Sequence, residues 1–317
     1  MKSEYSTGFS SGSLVKLTAS MLIFGTVGIF RRSIPVSSEF LAFSRGILGA
    51  LFLLGFLGLR KNRKNTRIQP VPRSAFLWLV LSGAAIGVNW ILLFEAYRYT
   101  TVAVATLCYY MQPTIVILLS PLLFRERLTA KKLVCAFLAI LGLVLLSGVT
   151  IPGVTIPGVT IPGLTIPGAA AAAGSTGDPR GILYGLGAAA LYAFVVILNK
   201  LLPPLDAVVK TMIQLFSAAA VMIPYLLITR NPGLEKMSGT GWFLLVLMGI
   251  VHTGIAYVLY FSSMDLPAQT VAVFSYLDPV SALFFAWIFL GESLSAAGAL
   301  GAVLILGSAL VSERSGA

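Results

Sequence analysis

The chain of 317 residues is 57% hydrophobic and only 10% charged, with a mean hydropathy of +0.93. An ordinary soluble surface carries about a quarter charged residues, so a conventional water-soluble enzyme is excluded. The 22 Lys and Arg against 11 Asp and Glu give a net charge of +11, which in a membrane protein is a topology signal before it is a binding surface.

In chain order, the N-terminal MKSEYSTGFSSGSLVK lacks a small-residue cleavage site after a short apolar core, so the run from Leu14 reads as a retained span. GFSSG at residues 8–12 fits the G-x-S-x-G pattern but has no strand before it, and carries no nucleophile elbow. With about 20 apolar residues needed per crossing, runs bounded by charge, Pro and Gly predict spans at 14–30, 37–59, 74–97, 101–123 and 131–148. A second set falls at 180–199, 204–228, 238–262, 266–290 and 294–312. The expected fold is therefore all-α and polytopic, with ten transmembrane helices. An even number of crossings puts both termini on one side. A cytoplasmic N-terminus places Lys2, Lys16, the six basic residues from Arg60 to Arg73, the four from Arg125 to Lys132, Lys200, Lys210 and Arg314 inside. Only Arg31, Arg32, Arg98, Arg180, Arg230 and Lys236 are then outside, which orients both termini toward the cytoplasm. The RKNRKNTR run beginning at Arg60 reads as a loop against anionic lipid; no aromatic residue interleaves it, so nucleic acid is not expected as a partner.

Residues 149–168 are four pentapeptides, VTIPG three times and then LTIPG, followed by alanines and GSTGD. Pro and Gly every fifth residue favour successive turns over a helix, so 149–178 is read as an exposed linker between a repeat at 14–148 and one at 179–312. A shift of 166 positions carries Tyr110-Met-Gln-Pro113 onto Tyr276-Leu-Asp-Pro279 and Glu126 onto Glu292. Five helices per half is an odd number, so the halves are inverted repeats, an architecture of secondary transporters that bind substrate near the midplane.

Several features in order carry a resemblance: Phe24-Gly25, Arg45, Phe94-Glu95-Ala96 with Tyr99, Gln112-Pro113, RERLTAKK at 125–132 with Gly142 beyond it, Asp278-Pro279 and GESLS at 291–295. Together they resemble the ten-helix EamA-type branch of the drug/metabolite transporter superfamily, over nearly the whole chain except the pentapeptides. The resemblance implies a basket of helices around a central cavity, commonly exporting amino acids or other small metabolites across the bacterial inner membrane. Proton-coupled multidrug efflux is the alternative; the small four-helix drug pumps of the superfamily use an acid in the first helix, and 14–30 contains none.

A residue about ten positions into a span sits near mid-bilayer. Arg45, Gln112, Gln214, His252 and Asp278 meet this condition, and Asn89, Trp90, Tyr109, Tyr257 and Tyr276 complete the candidate substrate-binding set. Buried charge is costly in lipid, so Arg45 and Asp278 are expected to face the cavity or each other. Arg45 is read either as the holder of a substrate carboxylate, pairing with Asp278 when empty, or as half of a permanent structural ion pair. His252 is read as structural rather than as a proton carrier. Pro113 and Pro279 are expected to kink their helices as gating joints. Glu95 is expected to pair with Arg98, and Glu126 and Glu292 to anchor loops and cap the helix that follows each. Gly83-x-x-x-Gly87 and Gly181-x-x-x-Gly185 fit close helix contact. Cys108 and Cys135 in apolar runs are read as free thiols, without a disulfide or a zinc site. No cofactor is expected, and no phosphate-binding loop that would allow direct ATP drive is present. An intramembrane serine enzyme would need Ser262 or Ser263 to reach His252 on the same helix, a poor dyad. The expected partners are a small-molecule substrate and the lipid bilayer.

Overall fold

A computed structural model describes residues 11–61, 70–99, 102–126, 128–147, 179–230, 232–290 and 296–313. The pentapeptide linker, most of the basic run after Arg60, Glu292 with its GESLS segment and the start of GFSSG lie outside the described residues.

All regular structure among the described residues is helical: α1 (Ser11–Gly25), α2 (Val27–Arg32), α3 (Ser38–Lys61), α4 (Arg73–Tyr99), α5 (Val102–Tyr109), α6 (Gln112–Phe124) and α7 (Ala130–Ser147), then α8 (Pro179–Leu201), α9 (Ala207–Thr229), a 3₁₀ turn Leu234–Lys236, α10 (Gly239–Leu247), a π-helical segment Met248–Ile255, α11 (Ala256–Phe261), α12 (Ala268–Ser275), α13 (Leu277–Leu290) and α14 (Ala296–Glu313). Seven stretches among these residues are long and apolar enough to cross a membrane, and Gln112–Phe124 and Ala296–Ser308 are shorter apolar helices. The outward surface is apolar, with Leu77 68%, Leu122 79% and Ile228 78% exposed, while Asn89 and Gln214 are fully buried. That inversion of the soluble pattern suits a hydrocarbon solvent.

Four of the expected continuous spans are interrupted. The run expected at 101–123 breaks at Tyr110 and Met111, and the run at 266–290 breaks at Tyr276. Pro113 and Pro279 explain both breaks. Neither has an N–H to donate to the carbonyl four residues back, so the ladder stops there and a new helix starts. Each proline consequently lies in the first turn of α6 or α13, where its missing donor leaves nothing unsatisfied, and not in the middle of a kinked helix. The first span breaks at Thr26, whose Oγ1 donates to the Ile23 carbonyl at 2.7 Å and competes with the backbone ladder. Between α10 and α11 the chain widens into a π-helix, and Thr253 Oγ1 donates to the carbonyl of Met248 five residues back at 3.2 Å.

Glycines set how closely the helices approach. A Cβ on Gly83 would stand 2.7 Å from Gln214 Cα and Ser217 Cβ, and one on Gly87 would stand 2.6 Å from the Ala218 carbonyl oxygen, so α4 rests backbone to backbone on α9. Gly185 brings α8 against Cys108 of α5, a hypothetical Cβ lying 2.8 Å from Cys108 Cβ. α5 and α12 end at Tyr109 and Ser275, the same offset of 166 that separates the Tyr-x-polar-Pro motifs.

Candidate substrate cavity

Residues flanking the breaks at Thr26, Tyr110 and Tyr276 (Gly25, Val27, Tyr109, Gln112 and Ser275), together with Tyr257 just beyond the π-helix, line one cavity of about 330 Å³. Its lining runs from the buried Met21, Tyr260 and Ser275 to the exposed Gly28. Tyrosines form much of the lining. Tyr192 stacks on Tyr260 at 6.3 Å between ring centroids, Tyr109 lies 6.0 Å from Tyr192, and Phe24 meets Tyr257 edge-on at 5.4 Å. Such rings offer apolar faces with polar tips.

Six of the residues expected to bind substrate line this cavity: Arg45, Trp90, Tyr109, Gln112, Tyr257 and Asp278. Arg45 projects from α3 and donates from Nε to Thr253 Oγ1 at 3.0 Å. Asp278 stands in the first turn of α13, where a carboxylate complements the helix dipole; it accepts from the Tyr110 hydroxyl at 3.0 Å. Arg45 and Asp278 do not form an ion pair. The buried Gln112, at the start of α6, has an Nε2 with no protein acceptor among the described residues.

Asn89, Gln214, His252 and Tyr276 are buried elsewhere. Asn89 Nδ2 donates to the Ala188 carbonyl at 2.5 Å, toward α8, because one residue from Trp90 is about 100° around the helix. Gln214 Nε2 donates to Ser82 Oγ at 2.8 Å in the tight α4–α9 contact. His252 Nε2 lies 2.8 Å from Thr26 Oγ1, and its ring meets Phe30 edge-on at 4.8 Å; it borders a separate, apolar recess with Leu22, Ile23 and Val251. The Tyr276 hydroxyl bonds Thr114 at 2.8 Å. The two motif tyrosines thus cross reciprocally: Tyr110 reaches Asp278 at the start of α13, and Tyr276 reaches Thr114 at the start of α6.

Tyr97, Thr106 and Tyr192 line the cavity without having stood out in the sequence. Tyr192 carried one usable signal, a tyrosine thirteen residues into an apolar run. Thr253 holds Arg45 from behind, and nothing in the sequence singled it out. Glu95 accepts from Arg98 at 3.0 Å, as the spacing predicted, and also from Tyr225 at 2.5 Å. Cys108 and Cys135 are free, and no group of metal-ligating side chains occurs among the described residues.

A sequence model of the EamA-like transporter family matches residues 12–148 and 179–313, one match on each side of the pentapeptides. The chain belongs to the EamA-like transporter family. As a member of that family it is an integral membrane transporter built on two EamA repeats, and its partners are a small-molecule substrate and the bilayer. It is similar to the protein named Uncharacterized transporter YxxF of Bacillus subtilis (strain 168), with 28% identity over 310 residues covering 96% of this chain and 90% of that one. An uncharacterized transporter of Archaeoglobus fulgidus is 25% identical over 94% of this chain and 95% of its own. Protein PecM of Dickeya dadantii (strain 3937) is 26% identical over 76% of this chain and 75% of its own. A crystal structure at 22% identity superposes with a TM-score of 0.75 over 96% of this EamA-like chain and 98% of the other, a likeness of fold.

Proposed function

We propose that this EamA-like transporter is a secondary exporter of amino acids or closely related zwitterionic metabolites, working by alternating access between two inverted five-helix repeats in a bacterial inner membrane with both termini cytoplasmic. The observation that carries the substrate class is the pair Arg45 and Asp278, placed in one cavity and each held by a hydroxyl rather than by the other. The guanidinium presents a fork matched to a carboxylate, the Asp278 carboxylate suits an ammonium, and the tyrosine walls accept an apolar or aromatic side chain. Gln112 Nε2 adds a free donor at the start of α6, and broken helices beside a midplane site are a recurrent transporter device. The 166-residue offset shared by the ends of α5 and α12 and by the Tyr-x-polar-Pro motifs supports two repeats of one unit.

Proton-coupled efflux of cationic aromatic drugs is the second reading. Asp278 among tyrosines favours it, and Arg45 in the same cavity opposes it through like-charge repulsion. Proteoliposome uptake decides between them. Labelled amino acids accumulating against unlabelled competitor, with decarboxylated amines and cationic dyes excluded, is the expected result; dye transport that tracks an imposed pH gradient without amino acid transport overturns it.

A further inference from the structure

Beyond Met21 and Tyr260, on the side away from the exposed Gly28, the cavity ends against buried side chains. Leu17, Ile117, Phe261, Met264, Leu266 and Ala268 belong to one buried cluster there, and a short loop, residues 262–267 between α11 and α12, crosses it. This loop and the start of α12 collect an unusual set of partners. Ser13 Oγ of α1 donates to Asp265 Oδ2 at 2.7 Å. Lys200 Nζ, at the end of α8, donates to the Met264 carbonyl at 3.2 Å and to that of Leu266, while lying 5.3 Å from the centre of the Phe124 ring. Lys210 Nζ donates to the Phe261 carbonyl at 3.4 Å. Glu126 does not cap the helix that follows it. Its Oε1 accepts from the Ala268 N–H at 2.7 Å and its Oε2 from the Gln269 N–H at 3.3 Å, so it caps α12 of the other repeat. The Gln269 side chain returns the link, donating from Nε2 to Ser120 Oγ of α6 at 2.7 Å.

We infer that Glu126, with Lys200 and Ser13, is a latch that holds this end of the transporter shut while the other end is open. The inference rests on the alternating-access reading. Three facts carry it. The bonds of Ser13, Ser120 and Glu126 run between the halves that must move apart for the closed end to open. They converge on a six-residue loop and one helix start, so a small displacement of α12 breaks them together. Finally, a cation similarly placed on its helix is turned differently at the open end. Arg31 and Lys200 each stand one residue before the end of their helix, α2 at Arg32 and α8 at Leu201, yet Arg31 donates to the Ile34 and Val36 carbonyls of its own adjacent loop at 2.6 and 2.9 Å. A cap supplied by the opposite repeat stabilises α12 only in the closed arrangement, and so biases the two-state equilibrium rather than the fold of either half.

Cysteine accessibility tests the latch in the full-length protein with Cys108 and Cys135 replaced by alanine. Leu17→Cys reports the walled-off end, where Leu17 is fully buried. Gly28→Cys reports the open side of the lining, where Gly28 is exposed and an added Cβ meets nothing within 4 Å. Each is challenged with a membrane-impermeant maleimide from either face, using intact cells and inverted vesicles. Glu126→Gln is expected to raise Leu17→Cys labelling about tenfold, the scale of losing charge-assisted hydrogen bonds, and to lower Gly28→Cys labelling in the same preparation; Lys200→Met and Ser13→Ala shift both reporters the same way. Labelling that rises at both reporters marks loosened packing and overturns the latch, as does no change at either. Should Glu126→Gln fail to insert, Lys200→Met and Ser13→Ala decide by the same opposed readout. Adding a mixture of L-amino acids to the otherwise unmodified reporters tests the underlying reading separately: exchange of protection supports it, and its absence counts against amino acids while the variants still judge the latch.

Discussion

Arg45 and Asp278 face one cavity from opposite halves of the chain without pairing: Arg45 Nε is held by Thr253 Oγ1 and the Asp278 carboxylate by the Tyr110 hydroxyl, each at 3.0 Å. A hydroxyl compensates a buried charge only in part, so a ligand carrying both opposite charges gains what the empty cavity lacks. Arg45→Gln is expected to raise KM for a carboxylate-bearing substrate about tenfold or more, the scale of losing a charge-assisted pair. Arg45→Lys rescues incompletely because an ammonium cannot reproduce the fork. Initial-rate uptake across a concentration series is the measurement, and equal KM values in wild type and Arg45→Gln would remove the carboxylate from the reading.

Thr253 makes a second, indirect contribution. Its hydroxyl accepts from Arg45 and donates to the Met248 carbonyl within the π-helix, so one atom joins the width of that helix to the aim of the guanidinium. Thr253→Val deletes both bonds and is expected to raise KM for amino acids several-fold, while Thr253→Ser stays within about twofold of wild type. Competition by the matching decarboxylated amine discriminates the cause: its weak inhibition is unchanged by either substitution if Thr253 acts through Arg45.

Depth along a helix was legible in the sequence, and rotation around it was not. Arg45, Gln112 and Asp278 were placed at the cavity because charge and amide groups stand out against apolar runs. Asn89 and Gln214 stood out for the same reason, but they serve the interfaces of α4 with α8 and α9. In lipid an amide buried between helices and an amide facing a cavity leave the same trace in one sequence, since both are polar residues in an apolar stretch. The tyrosine walls were partly hidden because Tyr192 and Tyr97 look like ordinary packing residues. The prolines marked where two spans change, but the consequence was a break with a fresh helix start rather than a kink. Glu126 was recognised as a cap, yet its recipient lies 142 residues away, a relation that only the folded chain displays.

The α4–α9 contact predicts a steric failure at a named place. Gly83→Leu must displace the α9 backbone at Gln214 or part the helices, because even a Cβ at Gly83 comes 2.7 Å from Gln214 Cα. Overpacking of this kind costs about 1–3 kcal/mol where side chains can yield and more where backbone cannot. The expected result is loss of monodisperse protein in detergent, whereas Gly55→Leu, at a position with nothing within 4 Å of an added Cβ, behaves as wild type. Equal yields of the two variants would mean that α4 and α9 do not approach through Gly83.

Asp206 separates two small contributions that meet on one side chain. Its Oδ1 caps α9, accepting from the Val208 N–H at 2.9 Å and the Val209 N–H at 3.3 Å, while its Oδ2 pairs with Arg60 at 3.0 Å. Both members of the pair are more than a quarter exposed, at 29% and 28%, so the ion pair is worth about 0–1 kcal/mol and is screened by salt. Loss of the cap costs about 1 kcal/mol. Asparagine is as good an N-cap as aspartate and carries no charge, so Asp206→Asn isolates the ion pair and Asp206→Ala removes both. Thermal unfolding in detergent is expected to rank wild type above Asp206→Asn and Asp206→Ala lowest, with the first gap closing as salt is raised and the second persisting. A gap between Asp206→Asn and Asp206→Ala that vanished in high salt would show that the carboxylate acts through charge and that the α9 cap contributes nothing.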